Sequence, residues 1–311
     1  MSLRILITGA NGQVGWQLQQ TLSALGDLTA LTREQLNLAD LDMVTRVVRR
    51  LNPDILVNAA AYTAVDKAES EPESALTINA TAPARMAQEL ARHGNLLVHY
   101  STDYVFDGAK PTSEAYNESD PTGPLNVYGH TKLEGEHLIQ ESGCPHVILR
   151  TSWVYDTRGK NFLRTVLRLA HEREELRMVD DQVGAPTWAR SIADATAVIL
   201  TRLLEHNDQT GKWRSGLYHL TASGKTSWAG FARAILEEYQ SLGCRAEDGG
   251  EFATPLKATR VIPISSEEYP VPARRPRNSQ LANGKVQHRF GDLMPDWRTQ
   301  LRLAMQDAVR R

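Results

Sequence analysis

The stretch Leu3-Arg4-Ile5-Leu6-Ile7-Thr8-Gly9-Ala10-Asn11-Gly12-Gln13-Val14-Gly15 decides the fold. Its apolar run suits a strand buried on both faces of a parallel sheet, and Val14, Leu18, Leu22 and Leu25 continue at helical spacing. Gly9, Gly12 and Gly15 fall where strand must become helix. Lacking Cβ atoms, they permit a tight turn, a pyrophosphate close to backbone N–H groups and a helix pressed onto its strand. The helix N-terminus adds partial positive charge. Gly-x-x-Gly-x-x-Gly thus predicts a dinucleotide site at the head of a doubly wound α/β sheet.

The elements that follow extend that unit. Leu28 to Leu31 reads as a second strand ending in Thr32-Arg33, where a dinucleotide fold meets the adenosine ribose. An acidic residue there would suit NAD, whereas a hydroxyl beside Arg33 suits the 2′-phosphate of NADPH, with NADH also usable. A helix with apolar face Leu41, Val44, Val47, Val48 and Leu51 starts behind Asp40 and closes at Asn52-Pro53-Asp54. Strand Ile55-Leu56-Val57 then runs into small residues through Ala61, Tyr62 and Thr63, which suit either close ligand approach or tight helix packing. Ser74 to His93 reads as one long helix disturbed at Pro83, with Asn79 inside it. Strand Leu96 to Tyr100 delivers Ser101-Thr102-Asp103 to the ligand-bearing edge.

Tyr128 and Lys132 lie four apart entering the next helix, hence on one face. A neighbouring ammonium favours a phenolate and should draw the tyrosine toward neutral pH, where it can exchange a proton with a carbonyl oxygen while a nicotinamide exchanges hydride with the carbon.

Composition bounds the rest. At 41% hydrophobic and 23% charged residues the 311-residue chain reads as globular, and a net charge of -2 gives no case for nucleic acid or an anionic membrane as partner. Cys144 and Cys244 stand far apart, outside any disulfide or zinc spacing, so a reducing cytoplasm fits. No targeting segment or membrane span is expected. Residues 1–150 read mainly as an NAD(P)-binding domain and 151–311 mainly as a smaller, interleaved substrate-binding part. The latter includes the polar loop Asp180 to Thr187, a weak strand Leu217 to Leu220 and the arginine-rich run at Arg274, Arg275 and Arg277. Those arginines suit either solvent or a pyrophosphate. His99 and His130 are expected to be structural or solvated.

Taken together, Gly9 to Trp16, Asn58 to Asp66, Ser101 to Gly108, Pro124 to Gly129 with Lys132, and Asp181 to Thr187 closely resemble the extended short-chain dehydrogenase/reductase family over essentially the whole chain. The resemblance implies a Rossmann-like fold and NAD(P)H-dependent reduction of a 4-keto nucleotide-sugar. The expected reaction converts dTDP-4-dehydro-6-deoxy-L-mannose to dTDP-L-rhamnose for surface polysaccharide. It implies that Tyr128 donates the proton, Lys132 holds the nicotinamide ribose and tunes Tyr128, and Thr102 is the hydroxyl partner at the ketone. Gly12, Gln13 and Val14 would meet the pyrophosphate, Asn37 and Leu38 flank the adenine, and Ala61, Tyr62 and Thr63 line the cofactor. Thr102, Asp103 and Trp153 would contact the nucleotide-sugar. Some members pair through a carboxylate-held magnesium ion, but the positions aligned with such ligands here are Gln17 and Arg190, poor ligands for a hard cation. No metal is therefore expected, and a homodimer is left open. An epimerase or dehydratase, and a non-catalytic NADP-binding regulatory subunit, are the alternatives. Tyr104 after Asp103 lacks the second acid expected of a dehydratase.

Overall fold

The computed structural model describes residues 2–242 and 254–309, so Cys244 lies outside the described residues. The first part runs β1 (Arg4–Thr8), α1 (Gln13–Leu22), β2 (Asp27–Leu31), α2 (Leu41–Leu51), β3 (Ile55–Asn58), α3 (Val65–Ala68), α4 (Pro72–Leu76), a π-turn Thr77–Thr81, α5 (Ala82–Ala91), β4 (Leu96–Thr102), α6 (Val127–Glu141) and β5 (His146–Thr151). There follow β6 (Val154–Tyr155), α7 (Phe162–Glu172), β7 (Glu175–Val179), β8 (Val183–Gly184), β9 (Thr187–Trp188), α8 (Ala189–Thr210), β10 (Gly216–His219), β11 (Thr226–Ser227), α9 (Trp228–Ser241), β12 (Arg260–Ile264), α10 (Gly284–Phe290) and α11 (Trp297–Val309).

A six-stranded parallel sheet in the order β10-β5-β4-β3-β1-β2 forms the centre. The unbroken apolar strands are explained by its two covered faces. Ile5, Ile7, Ile55, Val57, Val98 and Leu149 pack on one face with Leu18 and Leu22 of α1, Ile192 and Ile199 of α8, and Phe290 of α10. Leu6, Leu56, Leu97 and Ile148 pack on the other with Val44 and Val48 of α2, Met86 and Leu90 of α5, and Ile139 of α6. A separate core joins Tyr155, Leu163, Phe231, Ile235, Leu301 and Met305. The sheet grows in both directions from β1, so the crevice opens at the carboxyl ends of β1 and β3, where Thr8 and Asn58 pair in register.

Two local readings change. Helix α1 ends at Leu22, and Leu25 packs from the turn beyond it. The single helix expected from Ser74 to His93 starts at Pro72 and carries the π-turn, with Pro83 in the first turn of α5. Proline lacks an N–H and its ring crowds the carbonyl four residues back, here that of Asn79, so a wider turn relieves the clash. Added at Gly135 of α6, a Cβ would lie 2.2 Å from that same carbonyl, so the widened turn seats α6 closely.

Candidate active site

At the crevice, Gly9 has φ +71°, and a Cβ there would meet Ala59 O and the Ala60 backbone at 2.9 Å. A Cβ on Gly15 would lie 2.1 Å from Gly9 O. The turn therefore needs glycine at both positions, and the exposed Gly12 caps α1 at the rim. Gln13 opens α1 with a buried Oε1 that has no partner among the described residues, while Val14 packs on the core. Backbone donors and a helix N-terminus thus converge in the arrangement that a dinucleotide pyrophosphate needs.

The other cofactor candidates lie along the same crevice. Arg33 is exposed beyond β2, close enough to Lys67 and Glu34 to affect both electrostatically. Asn37 turns its Oδ1 onto Ala39 N–H, and Leu38 is buried. Tyr62 N–H donates to Asn79 Oδ1 (2.8 Å), and Asn79 Nδ2 donates to Tyr62 O and to Thr131 Oγ1 on α6 (both 3.1 Å). Asn79 thus ties the Ala61-Tyr62-Thr63 segment, of which Thr63 is exposed, to the helix bearing Tyr128.

That helix starts at Asn126, whose Oδ1 accepts from Gly129 N–H, and Gly129 brings its first turn onto the Tyr104 carbonyl, 2.3 Å from where a Cβ would stand. Tyr128 is half-buried, edge-on to Tyr104 at 5.6 Å. Burial pushes its phenol up to about 12; a hydrogen bond with Thr102 works the other way, and Asp103's charge adds to the rise. This corrects the expected direction, because loss of hydration outweighs any pull from a cation. Lys132 is itself buried and drawn down to about 8, against the pull of Glu136. Its Nζ lies 2.9 Å from His99 Nε2 and donates to Tyr100 O at 2.6 Å, and neither contact is with the phenol.

His99 was not marked as functional, yet it is fully buried at Lys132's side. A polar row crosses the sheet: Thr8 Oγ1 donates to Asn58 Oδ1 (2.6 Å), and Asn58 Nδ2 meets His99 Nδ1 (3.0 Å). A histidine inside an otherwise apolar strand was the available signal. His130, by contrast, is exposed.

The substrate candidates gather at the end of β4. Thr102 Oγ1 donates to Asp103 Oδ1 (3.1 Å) and accepts from Tyr104 N–H (3.2 Å). Asp103 Oδ2 is buried without a partner among the described residues. Burial pushes the carboxyl up to about 6, while hydrogen bonds from Ser279 and Thr102 pull it down. Trp153 adopts φ 48°, rare for a bulky residue, and stacks on Trp228 with centroids 3.5 Å apart. Its indole occupies the space a Cβ on Gly184 would take, at 2.5 Å. Neither Ser279 nor Trp228 was picked out from the sequence.

Arg275 pairs with Asp66 (2.7 Å), and Asn126 Nδ2 holds Arg274 O, so this run straps α3 to α6; Arg274 and Arg277 remain exposed. Gln17 Nε2 donates to buried Asp156 (2.9 Å), and Arg190 pairs with Asp194.

Residues 3–310 match the family model described as "RmlD substrate binding domain". The chain is 50% identical to dTDP-4-dehydrorhamnose reductase of Burkholderia thailandensis over 99% of both chains. It is 45% identical to the protein of that name from Escherichia coli K12, over 95% of this chain and 94% of that one. Among solved structures, dTDP-4-dehydrorhamnose reductase from Bacillus anthracis in complex with NADP superposes with a TM-score of 0.85 at 34% identity, covering 99% of this chain and all of that one.

Proposed function

The chain belongs to the RmlD substrate binding domain family, and on that premise we propose that it reduces the 4-keto group of dTDP-4-dehydro-6-deoxy-L-mannose with NADPH, giving dTDP-L-rhamnose. The observation that carries the reading is a phenol kept protonated against Thr102 at the end of β4, with a buried lysine one helical turn away. Bound NADPH supplies the hydride for the ketone carbon. Tyr128 gives its proton to the ketone oxygen, and a phenol held in its neutral form is the state that donation requires. Thr102 orients that oxygen, Asp103 offers its unpartnered Oδ2 to a sugar hydroxyl, and Trp153 forms the wall beside the sugar.

On the cofactor side Gly9, Gly12, Gln13, Val14 and Gly15 hold the pyrophosphate, Arg33 takes the 2′-phosphate, and Asn37 and Leu38 flank the adenine. Ala61, Tyr62, Thr63 and Lys132 line the nicotinamide half. Residues 1–150 thus serve mainly NADPH and 151–311 mainly the sugar, with α8, β10 and α10 returned to the first core. Both reactants are charged nucleotides that do not cross a bilayer, which supports a cytoplasmic site of action. No helix among the described residues is long and apolar enough to span a membrane. A metal-bridged pairing with a second copy finds no support at Gln17 and Arg190, poor ligands for a hard cation whose side chains bond Asp156 and Asp194. The test is NADPH absorbance with a panel of 4-keto nucleotide-sugars: consumption with the dTDP-linked 6-deoxy-4-keto sugar is expected, and none with any member would sink the reading.

A further inference from the structure

The row from Thr8 to Lys132 has a proton count that can be read from its fixed members. Ala60's backbone N–H can only donate, and it points at Asn58 Oδ1 (3.3 Å), which also receives Thr8 Oγ1–H (2.6 Å). The amide is therefore oriented with Nδ2 toward His99, and Nδ2 can only donate, so His99 Nδ1 accepts. A neutral imidazole that accepts at Nδ1 carries its proton on Nε2. That N–H faces Lys132 Nζ at 2.9 Å. An ammonium has no lone pair, so the contact is a hydrogen bond only if Lys132 is an amine, accepting from Nε2–H and donating to Tyr100 O.

We propose that at mildly alkaline pH His99 is a positioning residue that holds Lys132 as an unprotonated amine in the free protein, and that NADPH binding there takes up a proton from solvent at Lys132. This rests on the NADPH reading above. A polyanionic dinucleotide in the crevice favours the ammonium, and once protonated Lys132 can no longer accept from Nε2–H and is released toward the cofactor side. The surroundings agree. His99 is held well below its usual range by its full burial, so it stays neutral. The groups facing Lys132 are His99 and the Tyr100 carbonyl of β4 and Glu136 on its own helix; Glu136 is occupied by Arg150 of β5 and Ser101 of β4. Tyr128 stands one turn before it on α6, and Asp103 lies beyond the end of β4.

Calorimetric titration of NADPH into the full chain, in buffers of different ionisation heat, reads the proton directly. Uptake should approach about one proton per NADPH near pH ~9 and fade toward none about two pH units below Lys132's value of about 8. Asp103, near 6, and Tyr128, near 12, contribute nothing at the upper end of that range. Binding heats independent of buffer would overturn the proposal while leaving NADPH binding intact, whereas absence of binding would strike the cofactor reading instead. His99→Gln sets a carbonyl oxygen, an acceptor for an ammonium, where Nε2–H stood, so uptake near pH ~9 should fall at least about fivefold; retained uptake contradicts the proposal. Imidazole 15N spectra of the free wild-type chain need neither variant nor cofactor. The proton on Nε2 of His99 is expected, and a proton on Nδ1 overturns the proposal.

Discussion

Two polar groups four residues apart, His99 and Asp103, are finished in opposite ways. Both ring nitrogens of His99 are engaged, by Asn58 and by Lys132, within a row anchored on the neighbouring strands. Asp103 is as deeply buried, but its Oδ2 has no partner among the described residues, and nearby Trp153 is held at φ 48°. A satisfied buried network fixes geometry, whereas an unsatisfied group costs free energy that a ligand can recover. On the proposed reading the closed region frames the cofactor side, and the open one would seat the sugar.

Breaking the closed region should cost most. Glu136, one turn after Lys132, accepts from Arg150 at 2.6 and 2.9 Å and from Ser101 at 2.5 Å, all buried. Glu136→Gln leaves the Arg150 charge uncompensated and should destabilise by about 3–5 kcal/mol in urea unfolding. A loss below about 1 kcal/mol would mean that the frame is not held by charge pairing.

Breaking the open region should have the reverse sign. Asp103's folded pKa of about 6 lies above its ordinary value of 3.8. Its contribution to stability is therefore full below about pH 4 and lost as pH rises through about 6. Asp103→Asn removes that burden, so it should gain roughly 2–3 kcal/mol at pH ~8, shrinking to nothing below pH ~4, as measured by melts across pH. The sugar's KM should rise while NADPH affinity holds. A variant destabilised at pH ~8 would show that Asp103 is structural.

A smaller effect is expected at the solvent rim. Arg33→Asp should raise the KM for NADPH about ten- to a hundredfold, about 1.5–3 kcal/mol, and leave NADH usable. Unchanged relative efficiencies for the two cofactors would remove Arg33 from the site.

The same contrast explains what was legible in the sequence. Gly9, Gly12 and Gly15, the end of β4, and Tyr128 with Lys132 are coded by short spacing, so strand, turn and helix could be placed around them. Burial of β1, β3 and β4 on both faces, with successive side chains alternating between two cores, follows from unbroken apolar runs. Hidden from that reading were contacts set by register between distant segments: His99 on Lys132, Ser279 on Asp103, Trp228 on Trp153, and Asp66 on Arg275. The π-turn was missed because it answers a clash at Pro83 and the close seating of Gly135, neither of which shows in local spacing. The direction of Tyr128's shift was misread because spacing reveals a cation four residues away but not the loss of water.

The central claim is that Tyr128 protonates the ketone oxygen. Its most direct test is the turnover of Tyr128→Phe, which keeps the ring edge-on to Tyr104 and removes only the hydroxyl. With the dTDP-linked 4-keto sugar at saturation, kcat should fall about 10²–10⁴-fold while NADPH affinity and the melting temperature stay at wild-type values. A folded Tyr128→Phe protein that reduces the sugar within about twofold of the wild-type rate would contradict the claim.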